Sequence, residues 1–176
     1  MGNTPLKFFE MFNLTGSRMS AEPSPLISQM KYNQELFIAI FWEESFFRNM
    51  RQNSGWDSGR SVGFGQVQIA NVNKFLGTTF KDPAAQILSS DSLSVDVALK
   101  AMLAADQWKR GDKQAALRGY GGGSAPNWLA TSAALLKIPL IAQSATITAQ
   151  DADSNKSAII AALELTRRDA IVKQLF

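Results

Sequence analysis

Residues 37–47 read FIAIFWEESFF and place two adjacent glutamates in a strongly apolar segment. The surrounding residues 26–50 contain no glycine or proline, which predicts one long helix. On a helical wheel of this segment, Glu44 falls within the apolar sector and Glu43 lies at its edge. The position of Glu44 is therefore unusual for a carboxyl group.

A carboxyl group among apolar side chains has two interpretations. Burial raises its pKa, which makes the group a proton donor near neutral pH, so Glu44 is a candidate general acid. Alternatively, Glu44 is a structural residue that pairs with Arg48 one helical turn later. The wheel alone favours neither interpretation.

A glycine-rich segment follows this helix, and its residues 61–69 alternate as in a half-buried strand. In such a strand one side carries Val62, Phe64, Gln66 and Gln68, and the other carries Gly63, Gly65, Val67 and Ile69. Two amides beside an aromatic ring suit the hydroxyls of a sugar, and the glycines let a polymer approach the backbone. The same pattern also fits a plain glycine-rich hairpin whose polar residues face water.

The composition limits the chemistry that is available. The chain has 176 residues, of which 45% are hydrophobic and 19% charged, and this predicts a single folded core. It contains neither His nor Cys, which excludes imidazole-based triads, thiol nucleophiles, disulfides and thiolate metal sites. Carboxylate, amide, hydroxyl and amine chemistry remains.

The rest of the chain predicts a mostly helical α+β protein with a small β-hairpin lobe. Residues 1–24 are expected to form an N-terminal arm and loop, with the loop at residues 16–25, and residues 25–176 a single domain. Helices are expected from Ser92, from Asp112 to the glycines at 119–123, from Ser124 to near Pro139, and over about 156–175. Residues 140–155 are expected to form a surface segment.

Three ordered blocks resemble a known family. They are Glu44-Ser45, then Ser54-Gly55-Trp56-Asp57 with Gly63-Phe64-Gly65-Gln66-Val67-Gln68-Ile69, and finally Ala115 to Gly123, which reads AALRGYGGG. These blocks are similar to the Glu-Ser, Asn-Gly-Trp, Gly-Leu-Met-Gln and Ala-Tyr-Asn-x-Gly signatures of goose-type lysozymes and lytic transglycosylases. The resemblance spans about residues 30–137.

The resemblance implies a lysozyme-like fold, with the catalytic glutamate at the end of a long helix and facing a cleft. It implies that Glu44 protonates the glycosidic oxygen between N-acetylmuramic acid and N-acetylglucosamine. Ser45 would help to orient the substrate or the glutamate, and Gln68 and Tyr120 match the motif Gln and the motif Tyr near the acid. The other expected substrate-binding residues are Trp56, Phe64, Gly65, Gln66 and Gly121.

The sequence also departs from the family pattern. Gln66-Val67 replaces the motif Leu-Met, Gly121 replaces the motif Asn, and Ala70 stands where goose-type enzymes often carry an Asp. Asp57 is a candidate second carboxylate or, equally, a turn residue. Hydrolysis needs a second carboxylate at about 5–5.5 or 6.5–9.5 Å from the acid, depending on stereochemistry. A lytic transglycosylase uses one Glu and forms a 1,6-anhydro product, so both reactions stay open.

Of the four tryptophans, only Trp56 is expected to face a sugar, and Trp42, Trp108 and Trp128 are expected in the core. No cofactor or metal is expected, because acid catalysis at a glycosidic bond needs none. The expected partner is the glycan strand of peptidoglycan. A catalytically inactive wall-binding or assembly protein on the same scaffold is the alternative.

The charge and the N-terminus bear on partners and location. A net charge of +3 and a pI near 9.3 favour weak attraction to anionic polymers. The sequence has no contiguous basic face of the kind that predicts nucleic-acid binding. The N-terminal segment shows neither a signal peptide nor a membrane span, and Leu6 breaks the myristoylation pattern. We therefore expect another system, such as a bacteriophage lysis or virion apparatus or a secretion machine, to deliver the protein to the cell wall.

Overall fold

The computed structural model describes residues 4–28, 32–52, 58–121 and 124–165, and this part of the chain is predominantly helical. Its helices are α1 (Thr4–Ala21), α2 (Pro25–Ser28), α3 (Gln34–Ser45), α4 (Ile69–Leu76), α5 (Pro83–Leu88), α6 (Asp91–Trp108), α7 (Lys113–Gly121), α8 (Ala125–Leu135), α9 (Pro139–Gln143), α10 (Ala149–Ser154) and α11 (Lys156–Leu163). Strands β1 (Ser61–Val62) and β2 (Val67–Gln68) form a small antiparallel sheet. The predicted mostly helical α+β class is confirmed.

Helix α3 lies at the centre of the core because it is apolar on nearly every side. Nine of its 12 residues are buried, and helices α1 and α8 pack against it. The side chain of Asn33 caps its first turn by accepting a hydrogen bond from the backbone N–H of Leu36 at 3.2 Å. A carboxyl group near the end of this helix is consequently set among apolar neighbours.

The long helix predicted over residues 26–50 is wrong in its extent. The structure has α2 and the separate α3, with residues 29–31 outside the described part. Helix α3 ends because Phe46 and Phe47 adopt left-handed backbone conformations, with φ of 54° and 55°. Such conformations are costly for bulky side chains. Both rings pack on Trp42, with ring centroids 5.3 and 5.2 Å away, and this packing offsets the strain.

The predicted small β-hairpin is present, but it replaces the single strand expected through residues 62–69. Positive φ values at Gly63 (86°) and Gln66 (48°) reverse the chain between the two strands. Val62 pairs with Val67 across the resulting hairpin. The alternating residues therefore span two short strands and the turn that joins them, and they do not share two faces of one strand.

The predicted N-terminal arm is part of the core. Helix α1 buries Phe8, Met11 and Phe12 and packs against α3 and α6. Residues 16–21, which the sequence analysis assigns to a loop, continue this helix. The N-terminal segment therefore contributes directly to the main fold.

The C-terminal half agrees better with the sequence. Helices α6, α7 and α8 follow their predicted positions, whereas α4 and α5 have no counterpart in the prediction. The predicted surface segment at residues 140–155 contains most of α9 and all of α10. Helix α11 begins at Lys156 as predicted. The remainder of the predicted closing helix, from residue 166, lies outside the described residues.

Candidate functional site

Four elements meet beside the C-terminal end of α3. The hairpin turn packs on α3 through the Phe41 and Phe64 rings, whose centroids are 5.9 Å apart. The backbone N–H of Phe64 donates to Ser94 Oγ of α6 at 2.7 Å. The Tyr120 hydroxyl of α7 donates to the Gly65 carbonyl at 2.9 Å. These contacts fix the hairpin relative to the helix that carries Glu44.

Glu44 sits at this junction with its side chain largely withdrawn from water. Burial and, to a smaller extent, the negative charge of the neighbouring Glu43 together raise the pKa of Glu44 to about 7. A substantial fraction of the Glu44 carboxyl groups is therefore protonated at neutral pH. This protonation state is the one that a general acid requires.

The structure does not support the alternative in which Glu44 pairs with Arg48. The Arg48 side chain is exposed, and its Nε donates to the Ser45 carbonyl at 3.3 Å. Its guanidinium lies over the Phe46 ring, 5.7 Å from the centroid. A paired cation would lower the pKa of Glu44, whereas burial and the Glu43 charge raise this pKa.

Tyr120 is the second titratable group of the site. Burial raises its pKa above the usual value of 10.0, and the charge of Glu44 raises it further. This effect means that the Glu44 charge lies close enough to Tyr120 to influence its hydroxyl group. Tyr120 therefore remains protonated, and its hydroxyl stays a hydrogen-bond donor over the whole physiological pH range.

Gly65 permits this close approach of α7 and the hairpin. A Cβ atom at residue 65 would collide with the Tyr120 hydroxyl and would lie 2.8 Å from Cβ of Ala98. The sequence analysis expected Gly65 to admit a substrate polymer. The structure instead shows that its missing side chain admits Tyr120.

The two glutamines of the hairpin have different roles. Gln66 donates from Nε2 to the carbonyls of Gly63 and Met50, at 2.6 and 3.1 Å, and so ties the turn to the segment after α3. Its Oε1 is buried and has no hydrogen-bond partner among the described residues. Gln68, the match to the motif Gln, is exposed at the start of α4 and makes no helix-capping bond. Of these two amides, only that of Gln68 is exposed, and it accepts one long hydrogen bond, from Asn71 Nδ2 at 3.5 Å.

Two further residues expected to bind substrate are buried. The Ser45 hydroxyl donates to the Phe41 carbonyl at 3.0 Å, within the end of α3. Phe64 is 2% exposed and belongs to the core. The expected surface of two amides beside the Phe64 ring is therefore not formed, because the hairpin turn directs this ring inward.

Gly121, which replaces the motif Asn, is explained by its neighbour Trp128. A Cβ atom at residue 121 would overlap the six-membered ring of Trp128. That buried ring also packs edge-on against Tyr120, with centroids 5.8 Å apart. The space next to the motif Tyr is thus filled by an indole ring that supports Tyr120.

The second carboxylate stays a prediction. Asp57 and Trp56 lie outside the described residues, so their positions relative to Glu44 are not defined. Ala70 lies exposed in the first turn of α4. It supplies no carboxyl group at the position where goose-type enzymes often carry one.

Trp108 is the residue that the sequence analysis missed. Trp42 and Trp128 are buried as expected, but Trp108 is 71% exposed at the end of α6. The sequence could have predicted this exposure, because Trp108 falls opposite the apolar stripe of that helix on a helical wheel. The exposed indole lies beside the Nζ atom of Lys109, which is 3.5 Å from its ring centroid.

Comparisons with known proteins leave the family open. No family model, curated protein or solved structure significantly matches the chain. Within the described ranges, no helix has the length and apolar character needed to cross a membrane.

Proposed function

We propose that this protein cleaves the β-1,4 bond between N-acetylmuramic acid and N-acetylglucosamine in peptidoglycan, with Glu44 as the general acid. The observation that carries the proposal is the Glu44 carboxyl group itself, whose pKa of about 7 leaves it partly protonated at neutral pH. The buried helix α3, which carries Glu44 in its last turn, and the hairpin beside it support a lysozyme-like fold.

The reaction begins with proton transfer from Glu44 to the oxygen of the glycosidic bond. The bond between C1 of the muramic acid and this oxygen then breaks, and positive charge develops at C1. The Glu44 carboxylate left behind accepts a proton from the group that attacks C1. The hydrogen bond from the Tyr120 hydroxyl to the Gly65 carbonyl holds the hairpin in place beside Glu44.

Two products are compatible with this first step. Attack by the 6-hydroxyl of the same sugar gives a 1,6-anhydro end and needs only Glu44. Attack by water gives a hydrolysed end and needs a second carboxylate such as Asp57, either as the nucleophile that first bonds to C1 or, in place of Glu44, as the base that takes the proton of the water. Ala70 removes one such carboxylate, and we therefore favour the anhydro product.

The test is digestion of purified peptidoglycan, with the released fragments read by mass spectrometry. We expect wild type to release soluble fragments and Glu44→Gln to lose nearly all activity. Anhydro ends are lighter than hydrolysed ends by the mass of one water molecule, so the same spectra identify the reaction. Hydrolysed ends would make Asp57 the leading second carboxylate.

Glu43→Gln is the matched control, because it makes the same chemical change at the adjacent position. We expect this variant to keep cleaving peptidoglycan. If both variants lose activity, the cause is a disturbed C-terminal end of α3 and not the loss of the acid at residue 44. If wild type binds peptidoglycan and releases nothing, the inactive wall-binding protein replaces the proposed enzyme.

The pH dependence of cleavage gives an independent check. Activity requires protonated Glu44, so we expect it to fall as the pH rises through about 7. Removing the charge of Glu43 lowers the pKa of Glu44. The alkaline limb of the Glu43→Gln profile should therefore move to lower pH, by up to about one unit. An unshifted profile would contradict the electrostatic coupling of the two residues.

A further inference from the structure

A pocket of about 320 Å³ opens next to the candidate site. Gln66, Gln68 and Tyr120 form part of its lining, so the pocket shares these residues with the candidate site. Helices α4 and α6 contribute most of the remaining lining, together with Val67 of β2 and Gly119 of α7. Its volume lies at the lower end of the range of about 300–1,000 Å³ that is typical of small-molecule sites.

The lining combines apolar and hydrogen-bonding surface. Ala101, Ala104 and Ala105 present small side chains along one face of α6, which leaves room for a ligand above them. Asn71 and Gln68 contribute amides whose mutual hydrogen bond is long, at 3.5 Å. Both amides are therefore available to exchange this weak contact for a better one with a ligand.

Trp108 is the most unusual member of the lining. An indole that is 71% exposed is a large apolar surface in contact with water. In the free protein the Lys109 ammonium group lies over its ring. A ligand with a flat apolar face would cover the indole, whereas a compact ion would not.

A hexopyranose ring fits this combination of groups. The axial C–H bonds of such a ring form an apolar face that stacks on an indole, and its hydroxyl and N-acetyl groups lie around the edge, within reach of amides. Lys74 is the one charged residue of the described lining, and it adds a positive charge suited to a carboxylate on the glycan.

We propose that this pocket is a saccharide subsite that holds one N-acetylhexosamine ring against Trp108, with Gln68 and Asn71 as its hydrogen-bond partners. The proposal rests on the proposed function, since it identifies where the glycan strand continues beyond the scissile bond. It gives Trp108 the sugar-stacking role that the sequence analysis assigned to Trp56.

The test is calorimetric titration with the soluble β-1,4-linked tetramer of N-acetylglucosamine. We expect wild type to bind it and Trp108→Ala to bind at least about tenfold more weakly. Trp108→Phe, which keeps an aromatic ring, should recover most of the affinity. Because Trp108 is largely exposed, these changes should leave the thermal unfolding midpoint nearly unaltered.

Leu88→Ala is the matched control, since Leu88 is 40% exposed on α5 and does not line the pocket. It should bind the tetramer like wild type. Equal binding by wild type and Trp108→Ala overturns the subsite, as does a wild type that binds an oligonucleotide and not the tetramer. Binding through Trp108 by a protein that does not cleave peptidoglycan supports the subsite and contradicts the proposed reaction. The two proposals therefore fail separately.

Discussion

At the scale of single residues, the Glu44 carboxyl group is the feature of the site that is least favourable for stability when it is ionised. Transfer of a carboxylate from water into apolar surroundings costs free energy, and the adjacent Glu43 adds like-charge repulsion. Residues with such shifted pKa values concentrate at functional sites, where the shift serves the chemistry. The stability of the protein should therefore depend on the charge of this one group.

We expect Glu44→Gln to stabilise the protein above pH 7. The pKa of Glu44 in the folded state, about 7, exceeds its ordinary value of 4.5. Folding thus favours the protonated form, and the stability that this form contributes is lost as the pH rises through 7. The variant should gain roughly 1–3 kcal/mol at pH 8, allowing for partial solvent screening, and almost nothing at pH 4.

Urea unfolding at the two pH values measures this difference. Glu43→Gln serves as the comparison, and its gain at pH 8 should be the smaller one. A Glu44→Gln protein that is less stable than wild type at pH 8 would mean that the carboxylate is held by a favourable interaction in the folded state.

At the scale of elements, the hairpin and α7 are joined by one hydrogen bond and one close approach. The Tyr120 hydroxyl bonds to the Gly65 carbonyl, and the same hydroxyl occupies the space next to Gly65 that a Cβ atom would need. The two residues therefore act as a unit, and substitutions at the two positions should not be additive.

Single and double variants test this coupling. Tyr120→Phe should cost about 1 kcal/mol for the lost hydrogen bond, and Gly65→Ala about 1–3 kcal/mol for overpacking. In the Tyr120→Phe background, Gly65→Ala should cost at least about 0.5 kcal/mol less, because the colliding hydroxyl is gone. Equal costs in both backgrounds, measured by chemical denaturation, would show that Ala98 alone limits the space at residue 65.

The elements also show how far the sequence determines the fold. Helices α6, α7 and α8 were predictable because local signals agree: apolar stripes, an early serine and terminal glycines. Gly16 looks like a loop residue but is buried within α1, where a Cβ atom would lie 2.7 Å from the Ala145 carbonyl. Residue 16 is a glycine because of this contact with a distant part of the chain, and no local sequence pattern reveals such a contact.

The candidate site also combines features that local sequence predicts with features that distant contacts decide. The helical wheel identified Glu44, because an acid within an apolar stripe is visible in the sequence alone. The end of α3 was not predictable, since Phe46 and Phe47 adopt left-handed conformations without any glycine to signal them. Tertiary packing on Trp42 decides that conformation.

At the scale of the whole molecule, α1 links distant parts of the chain. Arg18 forms a two-pronged ion pair with Asp96 of α6, at 2.7 and 2.6 Å. The Asn13 amide both donates to and accepts from the backbone of Ile147, at 2.8 and 2.9 Å. Because of these bonds and its buried aromatic face, we expect the fold that holds the site to depend on α1.

Truncation of single side chains on α1 tests this view. Phe12 is fully buried, and we expect Phe12→Ala to lower the free energy of unfolding by about 3–5 kcal/mol. Leu6 on the same helix is 42% exposed, and Leu6→Ala should change it by less than about 0.5 kcal/mol. Equally small effects of both substitutions in urea unfolding would mean that α1 contributes little to the stability of the fold.

The overlap between residue 121 and the Trp128 ring restricts the order in which this protein can change. Introducing asparagine at residue 121, as in the signature that the chain resembles, meets the indole as long as Trp128 is present. A smaller residue at 128 removes this obstacle but also withdraws a ring that packs on Tyr120. A mutational path toward the family signature must therefore pass first through position 128, and the reverse order leads through an unstable protein.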